Sequence, residues 1–322
     1  MTSSGSGRLH GLVRTATGGV YEVELHPGGV VEAVLRGRLK REQRTGDAVV
    51  VGDRVLVDRQ EDGKHTIEGV EPRRTELARR APGSGGRRAK VVVANVDQLV
   101  AVFALARPAP RLRLLDRFLV VAESSGMEAV IVANKTDLAD PARAAAGIDP
   151  EEARATQAGL EGYAALGYQV LRTSVTEGEG LEELRARVCG RVTVFAGPSG
   201  AGKSSLLNAL QPGLALRTAE VSEAVGKGRH TTVSSRLIPL DCGGYVADTP
   251  GLRELGLWGV EPGDLDQCFP EFRPYLGQCR FSRSCTHTHE PDCAIAGAVE
   301  AGRVSGARLE SYRKLLAGDD AR

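Results

Sequence analysis

The sequence predicts a multidomain chain with a small all-β barrel, a parallel α/β domain and a small α-rich domain in which cysteines cluster. Short β-branched segments separated by glycine pairs fill the first 77 residues, and strand and helix patterns alternate between about residues 91 and 256. Past residue 257 the alternation stops and possible metal ligands lie close together. We therefore expect domains at 1–77, 91–256 and 257–322, with a basic glycine-rich linker at 78–90.

The composition excludes a membrane-spanning, secreted or disordered protein. Hydrophobic residues make up 41% of the chain, charged residues 26% and aromatic residues 4%, as in soluble globular proteins. The most apolar stretch, 91–106, is interrupted by polar residues, whereas a membrane helix needs about 20 clean apolar residues. No secretory signal begins the chain, so we expect a cytoplasmic protein without a membrane partner. In that reducing compartment the six cysteines are expected to be thiols or metal ligands, with Cys189, Cys242 and Cys268 as ordinary core or loop cysteines.

The first domain is expected to close into a barrel. Predicted strands cover 21–25, 31–39, 49–58 and 65–70, and glycine-rich turns separate them. About five strands in about 70 residues favour an OB-type barrel, and an SH3-like barrel fits the same spacing.

The segment after the barrel is rich in positive charge. Between Arg73 and Lys90, Glu76 is the single acid, and the basic residues are Arg73, Arg74, Arg79, Arg80, Arg87, Arg88 and Lys90. This excess predicts binding to a polyanion such as RNA. The neighbouring glycines are equally typical of a solvated linker, and both interpretations can hold at once.

The central domain has the pattern of a parallel sheet covered by helices. Its predicted elements are 98–104, 112–124, 128–133, 150–165, 169–173, 181–188 and 192–196. The tail at 298–316 has a helical pattern.

A phosphate-binding loop follows the strand 192–196 and precedes a helical segment. Its residues are Gly197, Pro198, Ser199, Gly200, Ala201, Gly202, Lys203, Ser204 and Ser205. Glycines let backbone N–H groups turn toward phosphates, Lys203 would reach the β and γ oxygens, and the Ser204 hydroxyl would bind Mg²⁺. A glycine-rich turn without a ligand is the alternative.

Two further segments are expected around the γ-phosphate. Asp248 follows the strand 245–247 and would hold Mg²⁺ through water, while Gly251 would approach the phosphate. The polar segment 226–232 is expected to be a switch, in which Thr231 or Thr232 would complete the Mg²⁺ shell. His230 is a candidate for orienting the attacking water, although it is equally consistent with a solvated loop residue.

The segment Asn134, Lys135, Thr136 and Asp137 follows the strand 128–133 and predicts recognition of guanine. The Asp137 carboxylate would accept hydrogen bonds from N1–H and the exocyclic amine, a pair of donors that adenine lacks in that arrangement. Asn134 would bind N7 and brace the loop. Thr173 and Ser174, at the end of another strand, would offer a backbone N–H to the guanine O6. An Asx-turn is the alternative for 134–137.

The order of these segments differs from that of an ordinary G domain. The guanine loops precede the phosphate loop, so the domain is predicted to be circularly permuted. Leu252 stands where many GTPases carry a water-orienting Gln, and leucine makes no side-chain hydrogen bonds. We therefore expect slow intrinsic hydrolysis until His230 or a partner's group positions the water.

A closed zinc site is predicted near the C-terminus. Its ligands are Cys279, Cys285, His287 and Cys293. Three thiolates and one imidazole complete a tetrahedron, which indicates a structural site. His289 is a rival ligand, and scattered buried thiols are the alternative.

The combined motifs at 134–137, 197–205, 226–232, 248–251, 269–272 and 279–293 resemble the ribosome small-subunit-dependent GTPase A family over nearly the whole chain. In the family pattern the first two cysteines usually lie one residue closer. The resemblance implies an OB barrel, a permuted GTPase domain that binds GTP or GDP with Mg²⁺, and one structural Zn²⁺. It also implies a role in late maturation of the small ribosomal subunit, with that subunit and its rRNA as partners. We expect the protein to be a monomer.

Two other functions compete with this one. A small-molecule kinase would turn over a soluble acceptor without a ribosome, and the segment 134–137 argues against it. A permuted GTPase acting on the large subunit or on another RNA would be distinguished by co-sedimentation with separated subunits.

Overall fold

The computed structural model of the protein describes residues 8–37, 39, 49–80, 89–139, 149–213, 235–248 and 260–318, with backbone alone at 79, 80 and 89. Two compact units form: Met1–Gln98 with Ala186–Phe195 and Glu223–Leu252, and Leu99–Arg185 with Ala196–Ser222 and Arg253–Arg322. Every described helix is too short or too polar to cross a membrane.

The first unit begins with a five-stranded barrel, as predicted. Its strands are β1 (Leu9–Thr17), β2 (Val20–His26), β3 (Val30–Leu35), β4 (Arg54–Arg59) and β5 (His65–Val70). They pair in the order β1-β2-β3-β5-β4, and antiparallel pairing of β4 with β1 closes the barrel. Val23, Val55 and Ile67 are fully buried inside it, because alternate strand residues point inward.

A two-stranded hairpin follows the barrel, where the sequence indicated a linker. Strands β6 (Glu76–Arg80) and β7 (Ala89–Ala94) pair antiparallel. Just before it, Arg73 donates to both carboxylate oxygens of buried Asp53, at 2.7 and 2.9 Å. Asp53 also accepts the Val50 backbone N–H at 2.7 Å. This bidentate ion pair joins the hairpin's base to the barrel.

The first unit also contains β11 (Val192–Ala196), β12 (Arg236–Pro239) and β13 (Tyr245–Asp248). Strand β13 pairs parallel with β11 and antiparallel with β12. Here the expectation for two cysteines is wrong, because Cys189 and Cys242 form a disulfide. The turn between β12 and β13 brings them together, with the Gly190 N–H donating to the Gly243 carbonyl at 2.9 Å.

The second unit contains the predicted parallel strands, with β8 (Gln98–Ala104), β9 (Glu128–Asn134) and β10 (Gln169–Thr173) in the order β10-β9-β8. Its helices include α1 (Leu112–Ser124), α2 (Pro150–Glu161), α3 (Leu181–Val188) and α4 (Lys203–Leu210). Asp149 caps α2 by accepting the Glu151 N–H at 2.9 Å. A single 3₁₀ turn, Gly162–Leu166, replaces the end of the helix predicted at 150–165.

The C-terminal part of this unit is built from short turns around a small core. It comprises 3₁₀ turns at Leu265–Cys268, Pro270–Tyr275 and Ser282–Ser284, then helices α5 (Ala294–Glu300) and α6 (Gly306–Leu316). Phe269 and Phe272 stack with ring centroids 4.9 Å apart, and Tyr312 packs edge-on against both. A turn at Gly302, where φ is +68°, divides the predicted helical tail into α5 and α6.

Candidate nucleotide and metal sites

The predicted phosphate loop leads from the end of β11 into α4. Gly197, Gly200 and Gly202 have φ of +144°, +80° and +97°. A Cβ at Gly197 would lie 2.2 Å from the Val102 carbonyl oxygen, so a larger residue has no space there. Pro198 and Ser199 form the outer part of the loop, whereas Ala201 is fully buried. This backbone has the glycine-dependent curvature that a phosphate cradle requires.

Lys203 lies across the opening of this loop. Its Nζ donates to the carbonyl oxygens of Gly197 and Pro198, at 2.7 and 2.8 Å. Ser204 and Ser205 follow in the first turn of α4, where N–H groups face outward along the helix axis. A lysine ammonium and a helix N-terminus thus converge on one loop, and both favour an anion.

Asn134 connects the phosphate loop to both guanine loops. Its side chain is buried, and Nδ2 donates to the Ala201 carbonyl oxygen at 2.8 Å. Its Oδ1 accepts from the Thr173 hydroxyl at 2.9 Å. Three segments that the sequence singled out separately therefore meet at one amide.

The Asp137 carboxylate lies in the 3₁₀ turn Thr136–Ala139 and is oriented by Ser174, whose Oγ donates to Oδ1 at 2.6 Å. The Thr136 hydroxyl donates to the Thr173 carbonyl oxygen at 3.2 Å and also contacts Glu179. These contacts bring the two predicted base loops together, with the second carboxylate oxygen of Asp137 available to a ligand's donors.

Lys135 has a left-handed backbone, with φ of +63°, and its Nζ donates to the Arg107 carbonyl oxygen at 2.8 Å. Burial lowers the pKa of the Lys135 ammonium, and the nearby Asp137 carboxylate partly opposes this shift. The hydrogen bond to Arg107 holds the alkyl stem of Lys135 beside the base loop.

Glu179 supports the base-recognition loops, although the sequence analysis did not single it out. Its carbonyl oxygen accepts the Ser174 N–H at 3.1 Å, and its carboxylate contacts Thr136. The Ser174 N–H is therefore engaged within the protein and does not face guanine O6 as the sequence led us to expect. The available signal was its position between Gly178 and Gly180, where φ values of +70° and +67° make a tight turn.

Among the other predicted site residues, one lies in the first unit and several lie outside the described residues. Asp248 ends β13 in the first unit, where it pairs with Arg236 at 3.1 Å. The switch residues His230, Thr231 and Thr232, and also Gly251 and Leu252, lie outside the described residues. The same holds for Arg87, Arg88 and the side chains of Arg79 and Arg80.

The four predicted metal ligands are brought together and buried. The sulfur atoms of Cys279, Cys285 and Cys293 and one nitrogen of His287 all lie within 4.8 Å of one another. The sulfurs of Cys279 and Cys293 are 3.9 Å apart, and His287 Nδ1 lies 3.6 and 3.4 Å from them. The rival ligand His289 is exposed and instead contacts the Thr288 hydroxyl. This cluster could hold a metal ion.

Neighbouring groups orient the cluster. Asp266 lies 3.4 Å from His287 Nε2, the ring nitrogen that faces away from the sulfurs, and the Ala294 N–H donates to Cys279 Sγ at 3.3 Å. Burial raises the pKa of the Cys285 thiol to about 12. A carboxylate behind a ligating histidine is a usual feature of metal centres.

Both the fold and the order of the loops define the class of protein, a circularly permuted GTPase with a P-loop. The crystal structure of YloQ, described as a circularly permuted GTPase, is similar to this chain, with a TM-score of 0.74, 29% identity and 100% coverage of both chains. The RsgA GTPase family model matches residues 70–258. The chain belongs to the RsgA GTPase family, and its reaction is the hydrolysis of GTP, with Mg²⁺ as the accompanying ion.

Other relatives match over nearly their whole length. YjeQ from Thermotoga maritima has a TM-score of 0.77 and 34% identity, with 98% of this chain and 100% of that chain covered. The small ribosomal subunit biogenesis GTPase RsgA of Gemmatimonas aurantiaca is 52% identical, covering 95% of each chain. Its counterpart of the same name in Moorella thermoacetica is 44% identical over 96% of this chain and 97% of its own.

Proposed function

We propose that this GTPase acts in late maturation of the small ribosomal subunit and that the subunit stimulates its hydrolysis of GTP. Asn134 carries the nucleotide part of the proposal, because its amide joins the phosphate loop to both guanine loops. The ribosomal part is supported by the names of the relatives, which match nearly the full chain.

In this proposal GTP or GDP binds across the second unit. Backbone N–H groups of Gly200 and Gly202, Lys203 and the N-terminus of α4 hold the phosphates, and Asp137 accepts from guanine. Ser174 orients the Asp137 carboxylate through its hydroxyl, while Ser204 and Asp248 would serve Mg²⁺. The fit is supported by the loop's glycines, whose positive φ values let the backbone curve around a phosphate.

The metal cluster would hold one structural Zn²⁺. Zn–S bonds of about 2.3 Å in a tetrahedron place two sulfurs about 3.8 Å apart, close to the 3.9 Å between Cys279 and Cys293. Three thiolates and one imidazole leave no open coordination position, so the ion would stabilise the fold and take no part in hydrolysis.

The barrel would be of the OB type, and RNA would bind to the basic segment that follows it. The strand order, with β3 parallel to β5 and β4 returning to β1, supports this topology. Phosphate contacts from the basic segment 73–90 would supply much of the affinity. The chain would act as a cytoplasmic monomer.

The experiment that tests this function measures GTP hydrolysis alone, with purified small subunits and with purified large subunits. We expect slow hydrolysis alone and strong stimulation by small subunits, which high salt or neutralisation of Arg79, Arg80, Arg87 and Arg88 weakens. Fast hydrolysis by the isolated protein, or equal stimulation by large subunits, would contradict the proposal.

A further inference from the structure

An aromatic side chain is exposed at the tip of the loop that joins Cys279 to Cys285. The chain has six phenylalanines. Those at 103, 118, 195, 269 and 272 are between 0 and 7% exposed, whereas Phe281 is 44% exposed. A single exposed apolar residue needs no explanation by itself, so its surroundings decide what it does.

The loop holds Phe281 in a fixed position. The Ser282 N–H donates to the Cys279 carbonyl oxygen at 2.8 Å, and the Ser284 N–H and hydroxyl donate to the Phe281 carbonyl oxygen at 3.0 and 2.7 Å. Cys279 and Cys285, at the two ends of the loop, belong to the buried cluster of metal ligands. A side chain presented by such a tight turn loses little backbone entropy when a ligand binds to it.

The exposed ring is flanked by positive charge. The Arg280 guanidinium lies 5.9 Å from the centroid of the Phe281 ring, and its ion pair with Asp292 spans 3.4 Å between side chains that are 62% and 73% exposed. Arg283 is also exposed, and Phe281 and Ser282 separate it from Arg280 along the loop. Such an exposed ion pair is weak enough to be exchanged for another anion.

We propose that this loop binds single-stranded RNA, with a base stacked on Phe281 and with Arg280 and Arg283 on the flanking phosphates. Aromatic rings stack on any base, and arginines neutralise the phosphates of the RNA backbone. An exposed aromatic ring with neighbouring arginines is therefore typical of single-strand recognition. A protein-docking patch would surround the ring with other apolar side chains, whereas residues 280, 282, 283 and 284 are polar and exposed. The inference rests on the proposed function, in which the small subunit supplies the RNA.

The test uses the full-length, metal-loaded protein and fluorescence anisotropy with a labelled 12-nucleotide single-stranded RNA of mixed sequence. A ribose-phosphate oligomer of the same length without bases is the second probe. We expect Phe281→Leu to weaken RNA binding about tenfold and leave binding of the baseless oligomer unchanged. Phe281→Tyr keeps an aromatic face and should bind RNA nearly as the original protein does.

The arginines are tested through the dependence of binding on salt. Arg283→Met is expected to reduce the slope of log K against log salt by about 0.7, the value for one phosphate on a single strand. Arg303→Met, at an exposed arginine in the turn between α5 and α6, is the matched control and should leave the slope unchanged. Metal content and urea unfolding establish that each variant is folded.

Unchanged RNA binding by Phe281→Leu would overturn the inference. So would a loss of small-subunit binding by Phe281→Leu with unchanged binding of the RNA, since that result would assign the ring to a ribosomal protein. Hydrolysis of GTP by the unmodified protein with small subunits is measured in parallel. If small subunits stimulate hydrolysis but the Phe281 variants bind RNA normally, this inference is wrong and the proposed function stands. If small subunits do not stimulate hydrolysis, the proposed function is wrong.

Discussion

Asn134 shows how one side chain can unite loops that are distant in sequence. Its amide donates to a carbonyl 67 residues further along the chain and accepts from a hydroxyl 39 residues further along. Both contacts are buried, so loss of either leaves a polar group without a partner at a cost of about 1 to 3 kcal/mol. The phosphate and base halves of the site therefore depend on each other.

At Asp137, replacement by Asn is expected to change the preferred base. The amide nitrogen cannot accept from the N1–H and amine of guanine, whereas xanthine offers a carbonyl in place of the amine. Loss of hydrogen bonds to a charged acceptor costs about 1.5 to 3 kcal/mol, so GTP binding should weaken at least tenfold and XTP binding should improve. Titration with fluorescent GTP and XTP measures this, with the exposed Asp62→Asn as control. Unchanged discrimination would remove Asp137 from the base site.

At Gly202, an added methyl group is expected to separate the two loops. The Cβ would lie 2.2 Å from Asn134 Nδ2, at a residue whose φ is +97°. Gly202→Ala should therefore break the Asn134 contact and weaken GTP binding about tenfold. Gly213→Ala is the matched control, because φ there is +105° and no atom of the described residues lies within 4 Å of the new Cβ. If Gly202→Ala binds GTP as tightly as Gly213→Ala does, the contact between Gly202 and Asn134 does not govern nucleotide binding.

Among the elements, the C-terminal segment at 260–318 joins its apolar core directly to the metal cluster. Its core depends on the cluster of Phe269, Phe272 and Tyr312 and on the buried sulfur ligands. Helix α5 begins directly after Cys293, and Tyr312 of α6 donates to the Thr286 carbonyl oxygen at 3.0 Å. The metal cluster therefore lies at the point where both helices attach.

Removal of the metal is expected to unfold this segment locally, because metal binding and folding are coupled in such sites. Amide hydrogen exchange after treatment with a chelator should increase across 279–300 and leave β8–β10 protected. Cys293→Ser should reproduce the effect, whereas Cys268→Ser replaces a buried cysteine outside the cluster and should not. Full protection in the metal-free protein would show that the four ligands stabilise the segment without an ion.

Over the whole second unit, a buried ion-pair network joins distant parts of the chain. Arg308 of α6 donates to Glu271 at 2.6 and 3.2 Å and also contacts Asp116 of α1. Tyr163 donates to Asp116 at 2.6 Å, and the Arg308 guanidinium lies 4.4 Å from the centroid of the Phe269 ring. The C-terminal segment is thereby fixed to the helix that precedes β9.

Arg308→Met is expected to lower the free energy of unfolding by about 3 to 5 kcal/mol, because two buried carboxylates lose their cation. Urea denaturation measures the loss, and Arg303→Met should cost little. A triple variant that also carries Asp116→Asn and Glu271→Gln should recover part of the stability. If Arg308→Met is no less stable than Arg303→Met, the network does not hold the segment in place.

Much of this architecture could be predicted from periodicity, and several features could not. The strands at 98–104, 169–173 and 192–196 and the helix at 112–124 form with the predicted bounds, because short apolar runs indicate the strands and apolar residues at helical spacing indicate the helix. The β6-β7 hairpin was not predicted, because its segment has the basic, glycine-rich composition that is typical of a linker. The disulfide between Cys189 and Cys242 spans 53 residues, and such a pairing depends on tertiary structure that sequence spacing does not contain.

The permuted order of the loops has a consequence for synthesis of the protein. A ribosome adds about 5 to 20 residues per second, so Ala201 is made roughly 3 to 13 seconds after Asn134, which lies 67 residues earlier. During that interval the base-recognition loops exist without the loop that would hold the phosphates. A nucleotide present in the cell therefore cannot assist folding of the first half of this domain and can act as a folding ligand only after the second half has been made.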